Sequence, residues 1–194
     1  MTSAEFRNTS IFCLSEIAKK PFNRDHDGKV VFILSSFIQR LSSVKPPNTD
    51  MATIYDNNDS GQELVFNITL FLAHFLSAHI TTIESVSGQT ITHALLDAHR
   101  YLLQVSIIDD RELFKMCVEY WQSFLTSLYE ETLLLPVEAF TLDPEGDFDV
   151  SLFSSVPLRK DMYFSILSEL RVIFIERMAK PNEVRLRDSS GFKN

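Results

Sequence analysis

Apolar residues recur along most of this chain at steps of three and four, the spacing that lines one side of an α-helix. The clearest run lies between Pro157 and Val184, PLRKDMYFSILSELRVIFIERMAKPNEV, where Tyr163, Leu167, Leu170, Phe174 and Met178 form one apolar stripe. Pro157 and Pro181 bracket it, because proline is tolerated in a helix's first turn and disfavours helical geometry in the residue before it. Upstream the period repeats. A first helix opens with Thr2 and Glu5 spaced as a capping box, carries Phe6, Cys13, Leu14 and Ile17 on its apolar side, and ends near Lys20-Pro21. A second spans roughly Asp27 to Val44 with Val30, Leu34, Phe37, Leu41 and Val44 inward, and Lys45-Pro46-Pro47-Asn48 stops it.

One or two helical turns over Asp50 to Tyr55 precede a polar loop, Asp56-Asn57-Asn58-Asp59. Ser60 and Glu63 then predict a second capping box. The helix they open carries Leu64, Ile68, Phe71, Leu72, Phe75 and Leu76, with so little charge on its circumference that neighbours are expected on more than one side. A fourth helix, about Gln89 to Val105, places Ile91, Leu95, Ala98 and Leu102 inward and His93, Asp97, Arg100 and Gln104 outward. Asp109 and Glu112 are read as caps of a fifth, with Phe114, Cys117, Val118, Trp121, Phe124 and Leu128 on its core side and an end near Glu130-Glu131.

These elements make an all-α chain, a single array over residues 1–194. Helices one to five occupy about 2–131, a long connection 132–156, the last helix 157–180 and a truncated loop 181–194. The connection contains Pro136, Pro144, Gly146 and four acidic residues from Asp143 to Asp149, the composition of an exposed irregular segment. Helix starts near 2, 60 and 109 alternate with starts near 27, 89 and 157, a loose pair period of 50 to 60 residues. That compares with about 40 to 47 for HEAT-like arrays, and favours a HEAT-like α-solenoid over a bundle. The abrupt helical start and the polar tail from Arg185 are expected of a segment of a longer protein.

Composition narrows the function. A net charge of −8 argues against a phosphate backbone as the main partner. Cys13 and Cys117, both in apolar helical patterns, are expected to be reduced core thiols. The opening residues MTSAEFRN contain no apolar signal-peptide core. The most hydrophobic window, Leu64 to Ile83, includes Asn67, His74, His79 and several hydroxyls, and reads as a helix between protein layers rather than a lipid-facing span. The triplets Asn8-Thr9-Ser10 and Asn67-Ile68-Thr69 fall inside predicted helices and are not read as glycosylation sites.

Candidate chemistry is thin. His74 and His79 are five apart and His93 and His99 six apart, so neither pair has the i, i+4 spacing of a zinc helix. The run Asp143 to Asp149 alternates like a calcium loop, but Phe148 stands where such a loop needs glycine and Ser154 where it needs glutamate. No glycine-rich phosphate cradle and no GxSxG elbow occurs. Cys117 lacks a histidine near it in sequence, and Asp25-His26-Asp27 reads better as a capping turn than as a proton relay. Trp121 is assigned to the core rather than to an interface. The residues therefore favour a non-enzymatic protein, with neither metal nor cofactor expected.

Certain stretches are more specific. Glu119-Tyr120-Trp121, Leu128-Tyr129-Glu130 and Arg177-Met178-Ala179-Lys180-Pro181-Asn182-Glu183-Val184, with Phe6-Arg7-Asn8, Cys13-Leu14-Ser15-Glu16-Ile17, Leu70-Phe71-Leu72 and His99-Arg100-Tyr101-Leu102-Leu103-Gln104-Val105-Ser106, fall in an order that closely resembles the chromosome region maintenance exportins. These are nuclear export receptors for leucine-rich signals within the importin-β superfamily. The resemblance implies a central HEAT-repeat segment in a receptor that shuttles between nucleus and cytoplasm. Its implied partners, for the whole receptor, are Ran-GTP, export-signal cargo and nucleoporins, with no nucleic acid or membrane bound directly. It further implies that the cargo groove lies in later repeats and that a Ran-contacting loop follows Pro181, so Arg185, Arg187 and Asp188 are the candidate partner-binding residues. Asn182 stands where the family usually has an acid, and 132–156 matches the family poorly. The alternative is a helical scaffold that assembles an enzyme complex without a transport role.

Overall fold

A computed structural model describes residues 3–20, 22, 26–47, 49–86, 88–133 and 159–179. Every regular element among them is a helix. In chain order these are α1 (Ser3–Ala18), α2 (Asp27–Val44), α3 (Met51–Asn57), α4 (Asp59–Ser85), α5 (Gln89–Ser106), α6 (Arg111–Leu133), α7 (Arg159–Met162) and α8 (Phe164–Ala179). They pack in two layers: α1, α4 and α6 lie side by side in one, and α2, α5 and α8 in the other. Contacts of α2 with α4, α4 with α5 and α5 with α6 join the layers, and α3 fills the angle between α4 and α5.

The long helix α4 is the spine. It is long and apolar enough to cross a membrane, with a mean hydropathy of 1.6 over an 18-residue window, but 67% of that window is buried against protein. Val65, Ile68, Phe71, Leu72, Phe75, Leu76 and Ile83 are buried on different sides of it, as the uncharged circumference predicts. Rings form a ladder along one edge: Phe37 of α2 meets Phe71 at 4.2 Å between centroids, and Phe71, Phe75, His79 and Phe22 follow at 5.3, 4.9 and 5.0 Å.

The turn into α4 differs from the capping-box expectation. Asn58, not Ser60, is the cap; its Oδ1 accepts from Gly61 N at 2.8 Å. Gly61 is required there by a close approach, since a Cβ would lie 2.1 Å from the carbonyl oxygen of Ile54. Glu63, released from capping, accepts from Asn8 Nδ2 at 2.9 Å. The cap of α6 is likewise one residue later than expected: Asp110 Oδ1 accepts from Leu113 N at 2.8 Å, and Asp110 Oδ2 from the Tyr55 hydroxyl at 3.0 Å, which fastens α3 to α6. These bonds favour the ionised carboxylate and hold Asp110 below the usual aspartate range.

One apolar face is turned from its predicted orientation. In α1 the buried residues are Asn8, Ser15 and Ala18, while Phe6 is 67% and Ile17 53% exposed and Cys13 is exposed. The physical reason is hydrogen bonding: Asn8 donates to Glu63 and to Ser60 O, and Asn67 Nδ2 donates to Asn8 O at 3.3 Å, so the polar side of α1 is the one that lies on α4. In the last helix the predicted stripe is interrupted at Tyr163, which separates α7 from α8. The stripe nevertheless faces the core as expected: Tyr163 and Leu170 are buried and Leu167 and Phe174 pack partly buried against it, with Met178, 78% exposed, the exception. Val44, expected inside α2, is also exposed, and α6 runs on to Leu133. The connection placed at 132–156, the acidic run Asp143 to Asp149 and the Thr2 cap lie wholly or mainly outside the described residues.

Candidate functional site: a buried junction and the motif helix

At the centre of the junction is His99, fully buried in α5. Its Nδ1 is 2.8 Å from Leu95 O, which only accepts, so that nitrogen carries the proton. Nε2 then accepts from the Tyr120 hydroxyl at 2.7 Å. Rings of Tyr120, Trp121, Phe124 and Tyr163 surround the imidazole at centroid distances of 5.0 to 5.8 Å. Burial lowers the imidazole pKa to about 4 and raises that of the Tyr120 phenol, so both are neutral at physiological pH.

Around this apolar centre runs a charged clasp. Arg159 of α7 pairs through Nε with Glu84 Oε2 of α4 at 2.7 Å, donates from Nη1 to Ser127 Oγ of α6 at 3.1 Å, and lies 5.7 Å from the Phe124 ring centroid. The Tyr163 hydroxyl donates to Glu84 Oε1. Both members of the pair are about 85% covered, with 15% and 13% of their side-chain surface exposed. Arg159 of α7 and Tyr163 at the α7–α8 break thus meet on one carboxylate of α4, and Arg159 carries the link on to α6.

Trp121 is fully buried, as its spacing predicts, and donates from Nε1 to Ser106 Oγ at 3.1 Å. Cys117 next to it is buried, and desolvation raises its thiol to about 11, the opposite of an activated nucleophile. His93 is exposed, and among the described residues no group of three His, Cys, Asp or Glu side chains converges as metal ligands would. Asp25 lies outside the described residues, and His26 makes no side-chain capping bond at the start of α2.

The motif helix has a separate anchor. Arg177 donates from Nη1 to Asp109 Oδ1 and from Nη2 to Ile108 O, each at 2.8 Å, with its guanidinium carbon 4.6 Å from the Phe114 ring centroid. This fixes the end of α8 on the α5–α6 turn. Arg185, Arg187 and Asp188 lie outside the described residues. What sequence reasoning missed is the clasp itself. Arg159 and Glu84 are 75 positions apart, and neither is marked by a local motif. The faint signal for His99 was an imidazole at an inward position beside Ala98 and Leu102.

Among the described residues, α1 and α8 each leave an apolar face open. One is the seam of Phe6, Leu14 and Ile17 on α1; the other is Phe164, Val172, Ile175 and Met178 on α8. Both sit on the flanks of the two layers.

Comparison with known proteins matches residues 93–129 to the chromosome region maintenance or exportin repeat. That segment holds His99 of α5 and Tyr120, Trp121 and Phe124 of α6, the aromatic core of the junction. Over 93% of the chain, the sequence is 37% identical to exportin-1 of Schizosaccharomyces pombe, of which it covers 17%. It is 32% identical to exportin-1 of Dictyostelium discoideum over 92% of the chain and 16% of that relative. Against protein EXPORTIN 1A of Arabidopsis thaliana the values are 33%, 96% and 18%. The chain therefore spans about a sixth of the length of these relatives.

Proposed function

We propose that this chain, similar to exportins over most of its length, serves as a non-catalytic spacer of HEAT-like helix pairs in a nuclear export receptor that carries leucine-rich cargo together with Ran-GTP. The observation that carries the reading is the similarity to exportin-1 proteins over 93% of the chain, at a pair of helix layers with apolar flanks. In a solenoid each pair touches only its neighbours, so flanks such as those of α1 and α8 are where further pairs stack. Cargo and Ran-GTP then assist one another through a coupling free energy stored in the bending of the array, to which this segment contributes stiffness. The clasp at Glu84 and the anchor at Arg177 set that stiffness.

In this reading the whole receptor shuttles through the nuclear pore in contact with nucleoporins, and Arg185, Arg187 and Asp188 open the loop that faces Ran. The test is a pull-down with Ran-GTP and a leucine-rich signal peptide, comparing this chain alone with the full-length receptor. The full-length protein is expected to retain both, the chain alone neither. Saturable binding of the signal peptide by the chain alone overturns the placement of the cargo groove outside it. Charge reversal of Arg185 and Arg187 in the full-length receptor should weaken Ran-GTP retention; unchanged retention removes those residues from the interface.

A further inference from the structure

We propose that the cleft between the start of α1, the end of α2 and the α3–α4 turn docks an acidic segment of a partner protein, its carboxylates held between Arg7 and Lys45. The cleft measures about 630 Å3, room for a few residues of extended peptide. Arg7 of α1 and Lys45, the residue that follows α2, stand in its lining. Among the described residues neither side chain has a carboxylate partner; the Arg7 guanidinium makes only a long bond of 3.4 Å to Asn8 Oδ1. In a chain with 26 acidic and 18 basic residues, two cations without a carboxylate partner beside one cleft are a local reversal of the overall field.

Within the Phe6-Arg7-Asn8 stretch the division of labour is clear. Asn8 ties α1 to α4, and Arg7 is exposed with no comparable part in the fold. The rest of the lining suits a peptide better than a bare ion. Asn57 and Ser60 offer side-chain donors, and Ile54 and Leu64 give an apolar floor. The turn is rigid, because the Asn58 cap and the close approach of Gly61 to Ile54 fix it, so docking would order little backbone. Asp59 is the acidic member of the lining and works against the occupant. A nucleic-acid strand is disfavoured, since two cations in an acidic chain replace few counterions.

The experiment is fluorescence anisotropy of a labelled Gly-Asp-Glu-Asp-Glu-Gly peptide titrated with the chain, against the matched peptide of Asn and Gln. Saturable binding is expected for the acidic peptide alone, weakening with added salt. Arg7→Ala and Lys45→Ala should each weaken it by about two- to fivefold, the range of an exposed ion pair, with helicity by circular dichroism unchanged. Asp59→Asn should tighten it, a gain that a loss of folding does not produce. Equal binding of the amide peptide, indifference to both cation substitutions, or tighter binding of a labelled oligothymidylate overturns the proposal.

Discussion

Glu84→Gln tests the junction most directly. The substitution keeps the shape and leaves the Tyr163 hydroxyl an acceptor, but removes the charge that faces the Arg159 guanidinium. A buried ion pair broken on one side costs about 3–5 kcal/mol, because the remaining charge stays desolvated. With 15% of the Arg159 side chain still exposed, the cost should fall at the lower end, about 3 kcal/mol. For a chain of this size that corresponds to roughly 6–12 °C in Tm. Replacing both partners, as Glu84→Gln with Arg159→Met, removes the orphan charge while the methionine still covers Phe124, and at least half of the loss should return. Urea unfolding followed by fluorescence is well suited, since Trp121 is the only tryptophan and is fully buried beside the clasp. A Glu84→Gln protein within about 0.5 kcal/mol of the parent refutes the assignment of the clasp as a structural centre, that being the range of ordinary surface changes. So does a double variant whose loss is the sum of the single losses.

Acid should destabilise the fold through His99. Its pKa is lowered from 6.5 to about 4, so the unfolded chain binds the proton first; the contribution is fully present above pH 6.5 and is lost as the pH falls towards 4, to a total of about 3 kcal/mol. His74 and His79, also lowered by burial, act in the same direction, and His99→Gln should flatten the stability profile between those limits. Gly61→Ala should cost about 1–3 kcal/mol by urea unfolding, because the new methyl meets the Ile54 carbonyl, which is backbone and cannot swing away. A thiol reagent should label Cys13 at once and Cys117 only on unfolding, since the first is exposed and the second is buried with a raised pKa; fast labelling of both would contradict the packing of α6.

Legibility in the sequence followed the range of the interaction. The bounds of α2, Asp27–Val44, agree with the expectation because an acidic start and a Lys-Pro-Pro stop act within a few residues. The inward positions of α5 and α6 were readable for the same reason, Leu95, Ala98, Leu102, Cys117, Trp121 and Phe124 all being buried. Caps at Asn58 and Asp110 were missed by one or two positions. Several capping residues stand in a row at each turn, and the choice is made by tertiary contacts, Gly61 on Ile54 and Asp110 on Tyr55. The clasp was not legible, because which carboxylate meets Arg159 depends on how the layers stack, and no spacing records that.

The turning of α1 is the most informative failure. A period rule assigns the apolar side of a helix to the core, which assumes that the helix has one partner. In a stacked array a helix has two: its layer neighbour, and the next helix along the same layer. Asn8 and Ser15 are small enough to let α1 lie close on α4, with Asn8 bonded to Glu63, which leaves Phe6, Leu14 and Ile17 facing the opposite way. At the far flank the predicted stripe does turn inward, with Tyr163 and Leu170 buried, while Phe164, Ile175 and Met178 give the same helix a second apolar side facing outward. An apolar stripe on such a helix therefore reports that a partner exists without saying on which side. The buried polar residues decide the side, because an unsatisfied Asn8 or Glu84 costs more to misplace than an exposed phenylalanine.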